Sequence, residues 1–201
     1  PASMVMLEND AFANTALSSV VIPGNIVMCE PAFYGCRQLE EAEVENGVRT
    51  LFGTFAECSN LRSVVLPESV EKISQSTFLN CQSLEDVWIY SMDAELNVYS
   101  PSVWHIEYQG IDEESGKALY EKVFLEREEE SAFLFSDSPN VTLHCFAGSS
   151  AEEYAIKHGI KYERIPSAVQ GVGKGETGAG QSGSVSESVL ERVIPFAGYT
   201  S

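Results

Sequence analysis

The chain has 201 residues, which suits one or two domains at about 150 residues per domain. Hydrophobic residues make up 44% and charged residues 21%, a composition that excludes a wholly disordered chain. Thirty acidic residues against twelve basic ones give a net charge of −18. That imbalance argues against a nucleic-acid partner and against an anionic membrane surface, because both are bound through Lys and Arg. No stretch approaches the ~18 apolar residues of a membrane span.

An internal repeat of about 22 residues runs through the first half of the chain. Phenylalanine recurs at intervals of 21, 22 and 23 residues, at Phe12, Phe33, Phe55 and Phe78. Leucine recurs at intervals of 22, 22 and 23 residues, at Leu17, Leu39, Leu61 and Leu84. Four further apolar columns share this period. A unit of this length predicts a solenoid, in which each unit buries its apolar row by stacking on its neighbours.

Each unit is predicted to contribute two short strands. Residues 61–67 (LRSVVLP) form a strand that Pro67 ends, because proline lacks a donor for the strand ladder. Residues 70–73 (VEKI) supply the opposite wall, and Phe78 closes the unit from the inside. Parallel strands stack about 4.8 Å apart, so each column becomes a ladder of like side chains.

Three segments share one motif: residues 32–39 (AFYGCRQL), 55–61 (FAECSNL) and 78–84 (FLNCQSL). With residues 61–73 (LRSVVLPESVEKI), they resemble the BspA-like leucine-rich repeats, whose pattern is AFxxCxxLxxVxIPxSVxxI. The resemblance covers residues 1–96 and about 132–165. The first unit departs from it, because residues 11–17 are one residue short and lack the cysteine, and the second has Glu45 in the proline slot. The resemblance implies a right-handed leucine-rich-repeat superhelix, mostly of short parallel strands.

The repeat is interrupted once. The spacing of three residues from Phe to Cys and three from Cys to Leu returns at Phe135, Ser138 and Val141. Phe135 lies 57 residues after Phe78, which predicts an insertion at about 97–131. Trp104 and Ile106 alternate with polar residues in the first arm, so we predict a hairpin. The second arm, within 117–130, fits a strand or a helix equally well by periodicity.

The end of the repeat region is predicted to carry a helical cap. Ser149 or Ser150 suits a helix N-cap, and Gly159 suits the position after the helix, which gives a cap helix at about 149–159. Residues 1–165 therefore form the solenoid domain. Residues 166–184 are a Gly/Ser-rich linker, and residues 185–201 are a tail or the start of a further segment. Since Leu7 occupies a second-half slot of a unit, we also expect further repeats or a cap upstream of residue 1.

The five cysteines are predicted to be buried and reduced. Cys36, Cys58 and Cys81 share one slot of the repeat, and free cysteine is among the most buried residue types. A disulfide between neighbouring units is the alternative, because adjacent Cα atoms lie within bridging range. No CxxC pair is present, so we expect no zinc site.

No catalytic or metal constellation assembles in the sequence, so we predict that the protein is not an enzyme and needs no cofactor. The alternative enzyme is a hydrolase. It would use the carboxylates of the insertion, at 112–114 and 128–130, or Cys145 paired with His158.

The outward positions of the repeat strands carry the candidate binding residues: Glu40, Glu41, Glu43, Val65, Glu85, Asp86 and Trp88. One aromatic side chain among many charges is typical of a recognition surface. The alternative is that Trp88 packs under the insertion. We predict a non-catalytic, monomeric binding or adhesion module that presents this strand face to a protein or glycan, without membrane insertion. The resemblance implies a cell-surface or secreted location. A structural spacer that carries a missing domain is the other possibility.

Overall fold

The computed structural model describes residues 6–99, 104–111, 118–124 and 134–166. The first seven strands are β1 (Met6–Leu7), β2 (Ser19–Ile22), β3 (Met28–Cys29), β4 (Glu41–Val44), β5 (Thr50–Leu51), β6 (Ser63–Leu66) and β7 (Lys72–Ser74). The remaining elements are β8 (Asp86–Ile89), β9 (Glu95–Val98), β10 (Trp104–Ile111), β11 (Ala118–Phe124), β12 (Thr142–Cys145), α1 (Ser150–His158) and β13 (Lys161–Arg164).

Two parallel sheets form the walls of a solenoid, as predicted. The front sheet has six strands in the order β2-β4-β6-β8-β12-β13, and the back sheet has five in the order β1-β3-β5-β7-β9. The pairing follows the repeat, because Val20 lies beside Ala42, which lies beside Val64. We call one turn of the chain through both sheets a coil.

A stack of phenylalanine rings fills the space between the sheets. Successive ring centroids are 5.3, 5.9, 6.1 and 5.3 Å apart and the rings are within 20° of parallel, in the order Phe12, Phe33, Phe55, Phe78 and Phe135. Four of these rings are fully buried, whereas Phe12, in the first coil, is 43% exposed. The predicted column of phenylalanines is therefore a continuous aromatic core.

The cysteines that share one position of the repeat are buried hydrogen-bond donors as well as small apolar residues. Each thiol donates to the main-chain carbonyl of the phenylalanine one coil earlier, at 3.1 Å in all three cases: Cys36 to Phe12, Cys58 to Phe33 and Cys81 to Phe55. In the last coil Ser138 takes the slot, and its hydroxyl donates to the Cys81 carbonyl at 3.0 Å. Thiol and hydroxyl thus satisfy carbonyls between neighbouring coils.

A left-handed residue precedes the donor slot in four coils, which the sequence analysis did not anticipate. The φ angles lie between 57° and 66° at Asn14, Gly35, Glu57 and Asn80. Asparagine and glycine tolerate this conformation better than other residues. At Gly35 a Cβ would lie 2.4 Å from Oδ1 of Asn14, so the Asn14 side chain would have to move to make room for it.

The insertion contains an antiparallel hairpin, which confirms that prediction and decides the second arm in favour of a strand. β10 pairs with β11 from Trp104 opposite Phe124 to Ile111 opposite Ala118, with an irregularity between Tyr108 and Gly110. β9 continues to Val98 and pairs with β7, so the repeat extends slightly further into the predicted insertion than expected. β8 and β12 pair directly, so the insertion leaves the front sheet continuous.

The helical cap is confirmed. The Ser149 hydroxyl accepts the amide of Glu152, and Gly159 ends the helix with φ of 67°. The ring of Tyr154 meets Phe135 edge-on at 6.3 Å and ends the phenylalanine stack. Within the described residues, no helix is long and apolar enough to cross a membrane.

A last strand after the helix was not predicted. β13 pairs in parallel with β12 and forms the C-terminal edge of the front sheet. Residues 1–164 form one compact unit, and residues 165–201 form a second. The predicted linker and tail lie outside the described residues, apart from residue 166, and stay predictions.

The phenylalanine stack predicts a graded response to truncation. Phe55→Ala should lower the free energy of unfolding by about 3–5 kcal/mol, because the stack cannot close around the missing ring. Phe12→Ala should lower the free energy of unfolding by only about 1–2 kcal/mol, since that ring buries less area on folding. Urea unfolding followed by circular dichroism measures both. Equal losses for the two variants would contradict a stack that is buried from the second coil onward.

The thiols are all free and buried in the structure, and burial limits the access of a reagent to each of them. Burial raises the pKa of Cys29 to about 12, whereas hydrogen bonds, first the one with Cys58, lower the pKa of Cys36 to about 6. We therefore expect a thiol reagent to modify few of the five cysteines in the native protein and all five after denaturation. Fewer than five in the denatured, unreduced chain would reveal a disulfide and contradict the prediction.

Candidate binding surface

The front sheet brings the predicted binding residues together in two outward columns. The first column contains Ser19, Glu41, Ser63, Asp86, Thr142 and Lys161. The second contains Val21, Glu43, Val65, Trp88, His144 and Glu163. Glu40 and Glu85 are exposed just before β4 and β8. The predicted residues thus occupy three neighbouring coils of one face.

Trp88 lies in the outward column, as its register predicted, but it is half-buried and not freely exposed. The ring of His144, from the next strand, stacks on it with centroids 3.9 Å apart and planes within 8°. His144 is only 8% exposed. One face of the indole is therefore covered by an imidazole, which neither of the sequence-based alternatives for Trp88 anticipated.

Two of the predicted carboxylates have partners on this face. Asp86 lies 2.7 Å from Nε2 of His144, whose Nδ1 is 3.8 Å from Glu163. Glu85 lies 3.6 Å from the Arg62 guanidinium on the preceding coil. The first contact gives Asp86 a hydrogen-bond partner on the next strand, and the second leaves Glu85 with less unbalanced charge than the sequence alone indicates.

The other three carboxylates form the acidic patch: Glu40, Glu41 and Glu43. Within the described residues none of them has an ion pair or a side-chain hydrogen bond. Burial, with a smaller contribution from Glu45, raises the pKa of the Glu43 carboxyl. Partial burial therefore disfavours the anionic form of Glu43, and a cation from outside would stabilise it.

The back sheet differs from the acidic patch, because its charged side chains form ion pairs between neighbouring coils. Arg49 lies 2.9 Å from Glu71, and Lys72 lies 3.8 Å from Glu95. Among the described residues of the two sheets, the carboxylates without an ion pair are therefore concentrated in the acidic patch of the front sheet.

The residues of the alternative hydrolase are not arranged for catalysis where the structure describes them. Cys145 is fully buried on the inner side of β12, and burial raises the pKa of its thiol. His158 packs against the ring of Tyr154 at 4.4 Å. Among the described residues no cluster of three or more potential metal ligands is present. The carboxylates at 112–114 and 128–130 lie outside the described residues.

His144 is the residue of this surface that sequence reasoning missed. The apolar alternation of Val141, Leu143 and Cys145 was a usable signal, since it places the residues between them on the outward face. All three alternating side chains are buried in the core, as this pattern requires.

The stacked coils, parallel ladders and helical cap define a leucine-rich-repeat protein. The sequence profile described as BspA type leucine rich repeat region matches residues 5–100 and 52–165, in six copies. The chain belongs to this family. Membership suggests a repeat protein without catalytic activity.

The chain is similar to a leucine-rich repeat protein from Bacteroides ovatus, with 17% identity and a TM-score of 0.36. The similarity covers 83% of this chain and 47% of that protein, so the chain spans less than half of its length. Among curated proteins no match is found.

The stacked rings of Trp88 and His144 predict a change in tryptophan fluorescence when the imidazole is removed. His144→Ala should expose the Trp88 indole, shift its emission to longer wavelength and lower stability by about 1–2 kcal/mol. A Trp104→Phe background leaves Trp88 as the only tryptophan. Thr142→Ala, on the same strand, is the control and should leave the emission unchanged. An unshifted spectrum for His144→Ala would show that the stack does not form in solution.

Proposed function

We propose that the protein is a non-catalytic binding module whose front sheet contacts a basic protein partner. The observation that carries the proposal is the distribution of charge: the back sheet balances its charges between coils, whereas Glu40, Glu41 and Glu43 on the front sheet are unbalanced. Exposed charges of one sign steer a partner of the opposite sign and raise its association rate.

An apolar strip beside the acidic patch supports direct contact in addition to steering. Glu43, Val65 and Trp88 lie on three adjacent strands, so the patch and the indole are about 10 Å apart. A partner segment with a basic side chain next to an apolar one fits this spacing. Truncation of a central aromatic residue typically costs about 2 kcal/mol or more of binding free energy.

The stacking of His144 on Trp88 favours a protein over a glycan as the partner. Sugar rings pack their C–H faces on open faces of aromatic side chains, and His144 covers one face of Trp88. The exposed parts of the indole suit contact with side chains of a protein better than stacking with a sugar. A cell-surface or secreted location and a role in adhesion belong to the same proposal, supported by the family resemblance.

The test starts with chemical cross-linking to identify a partner, followed by binding measurements on the purified pair. Trp88→Ala should weaken binding about thirtyfold, and Trp88→Phe should retain most of the affinity. The triple variant Glu40→Gln, Glu41→Gln and Glu43→Gln should slow association, and its effect should shrink as salt rises.

A matched control removes three carboxylates elsewhere. Glu68→Gln, Glu71→Gln and Glu95→Gln change the net charge equally but lie on or beside the back sheet. We expect this control to bind nearly as well as the wild type. If folded Trp88→Ala and the front-sheet triple variant both bind unchanged, or if purified glycans bind instead, the proposal is wrong.

A further inference from the structure

The turn between β4 and β5 contains the only Asn-Gly pair of the chain, Asn46 followed by Gly47. Asn46 is exposed, and its side chain makes no hydrogen bond with any residue that the structure describes. The carboxamide of an asparagine can be attacked by the amide nitrogen of the following residue. Glycine hinders that attack least, because it has no Cβ and its backbone rotates most freely. This turn is therefore open to a spontaneous chemical change.

The packing of neighbouring coils requires a glycine at position 47. The φ angle of Gly47 is 120°, a conformation that residues with a side chain rarely adopt. A Cβ there would lie 2.1 Å from the carbonyl oxygen of Gly24, one coil earlier. The steric barrier that any other residue would place beside the Asn46 carboxamide is therefore absent for a structural reason.

Ser69, in the equivalent turn of the next coil, holds the nitrogen that would attack. The Gly47 amide donates to the Ser69 hydroxyl at 2.8 Å, and that hydroxyl donates to the Val48 carbonyl at 2.8 Å. These two bonds fix the peptide plane between Asn46 and Gly47. The plane must rotate before the nitrogen can face the Asn46 carboxamide, so the bond to Ser69 has to break first.

We propose that Asn46 is a site of spontaneous deamidation and that the hydrogen bond from Gly47 to Ser69 limits its rate. Once a base has removed its proton, the Gly47 nitrogen attacks Cγ of Asn46. The carboxamide nitrogen takes up a proton and leaves as ammonia, and a cyclic succinimide remains. Water then adds to one of the succinimide carbonyls, and opening of the ring gives aspartate or isoaspartate. The reaction needs only water and base.

Either product changes this turn. A carboxylate at position 46 adds a negative charge beside Glu45, whose own carboxylate accepts the Gly24 amide at 3.0 Å. Isoaspartate also lengthens the main chain by one methylene group, at the point where the Asn46 carbonyl packs closely against Gly24. The inference is independent of the proposed partner on the front sheet, because the reaction uses only residues of the turns and can be measured on the protein alone.

Mass spectrometry of protein stored at neutral pH measures the reaction. Trypsin releases residues 38–49, in which Asn46 is the only asparagine. The wild type should deamidate there at least about fivefold more slowly when folded than in urea, since unfolding breaks the bond to Ser69. Ser69→Ala should speed the reaction of the folded protein by a similar factor and leave the rate in urea unchanged. Ser69→Thr, which keeps the hydroxyl, should react slowly, and Ser69→Val, which has the shape of threonine without the hydroxyl, should react fast.

Asn25 is the internal control, because it is exposed in the equivalent turn one coil earlier but is followed by the buried, branched side chain of Ile26. It should stay intact while Asn46 reacts. Glu68→Ala changes the residue before Ser69, keeps the hydroxyl and should leave the rate at Asn46 unchanged. Circular dichroism should show that the variants are folded. If the folded variants without the hydroxyl react no faster than the wild type, or if Asn46 stays intact in all of them, the proposal is overturned.

Discussion

The parallel register between successive coils is the constraint on which the rest of the structure depends. A parallel pair places equivalent slots side by side, so one phenylalanine per repeat becomes a stack from Phe12 to Phe135 with ring spacings of 5.3 to 6.1 Å. No single coil can bury its ring alone. The core therefore exists only between coils, and each coil depends on its neighbours for stability.

The same register governs the polar interior. Close stacking would leave buried carbonyls without partners, and unsatisfied polar groups are costly in a core. The thiols of Cys36, Cys58 and Cys81 meet this need by donating to carbonyls of the preceding coil. Their role explains why serine can replace cysteine in the last coil, since Ser138 makes a similar contact.

The outward face obeys no such requirement, and there the chain is free to vary. Side chains on the front sheet differ from coil to coil, whereas the inward columns remain apolar. The balanced pairs of the back sheet and the unbalanced acidic patch of the front sheet share one scaffold. The outward positions are therefore the ones at which neighbouring coils differ in their chemistry.

The sequence by itself determined the repeat, the two-walled solenoid, the inserted hairpin and the cap helix. Each of these rests on periodicity or on local capping chemistry, which can be seen in a single chain. It also placed Trp88 on the outward face. Only the tertiary structure decided that His144 stacks on Trp88 and that β13 closes the front sheet. It also decided that Glu85 and Asp86 have partners, whereas Glu43 has none among the residues that the structure describes. Those facts depend on contacts between side chains up to 58 positions apart, and the periodicity of a sequence does not show which outward side chains meet.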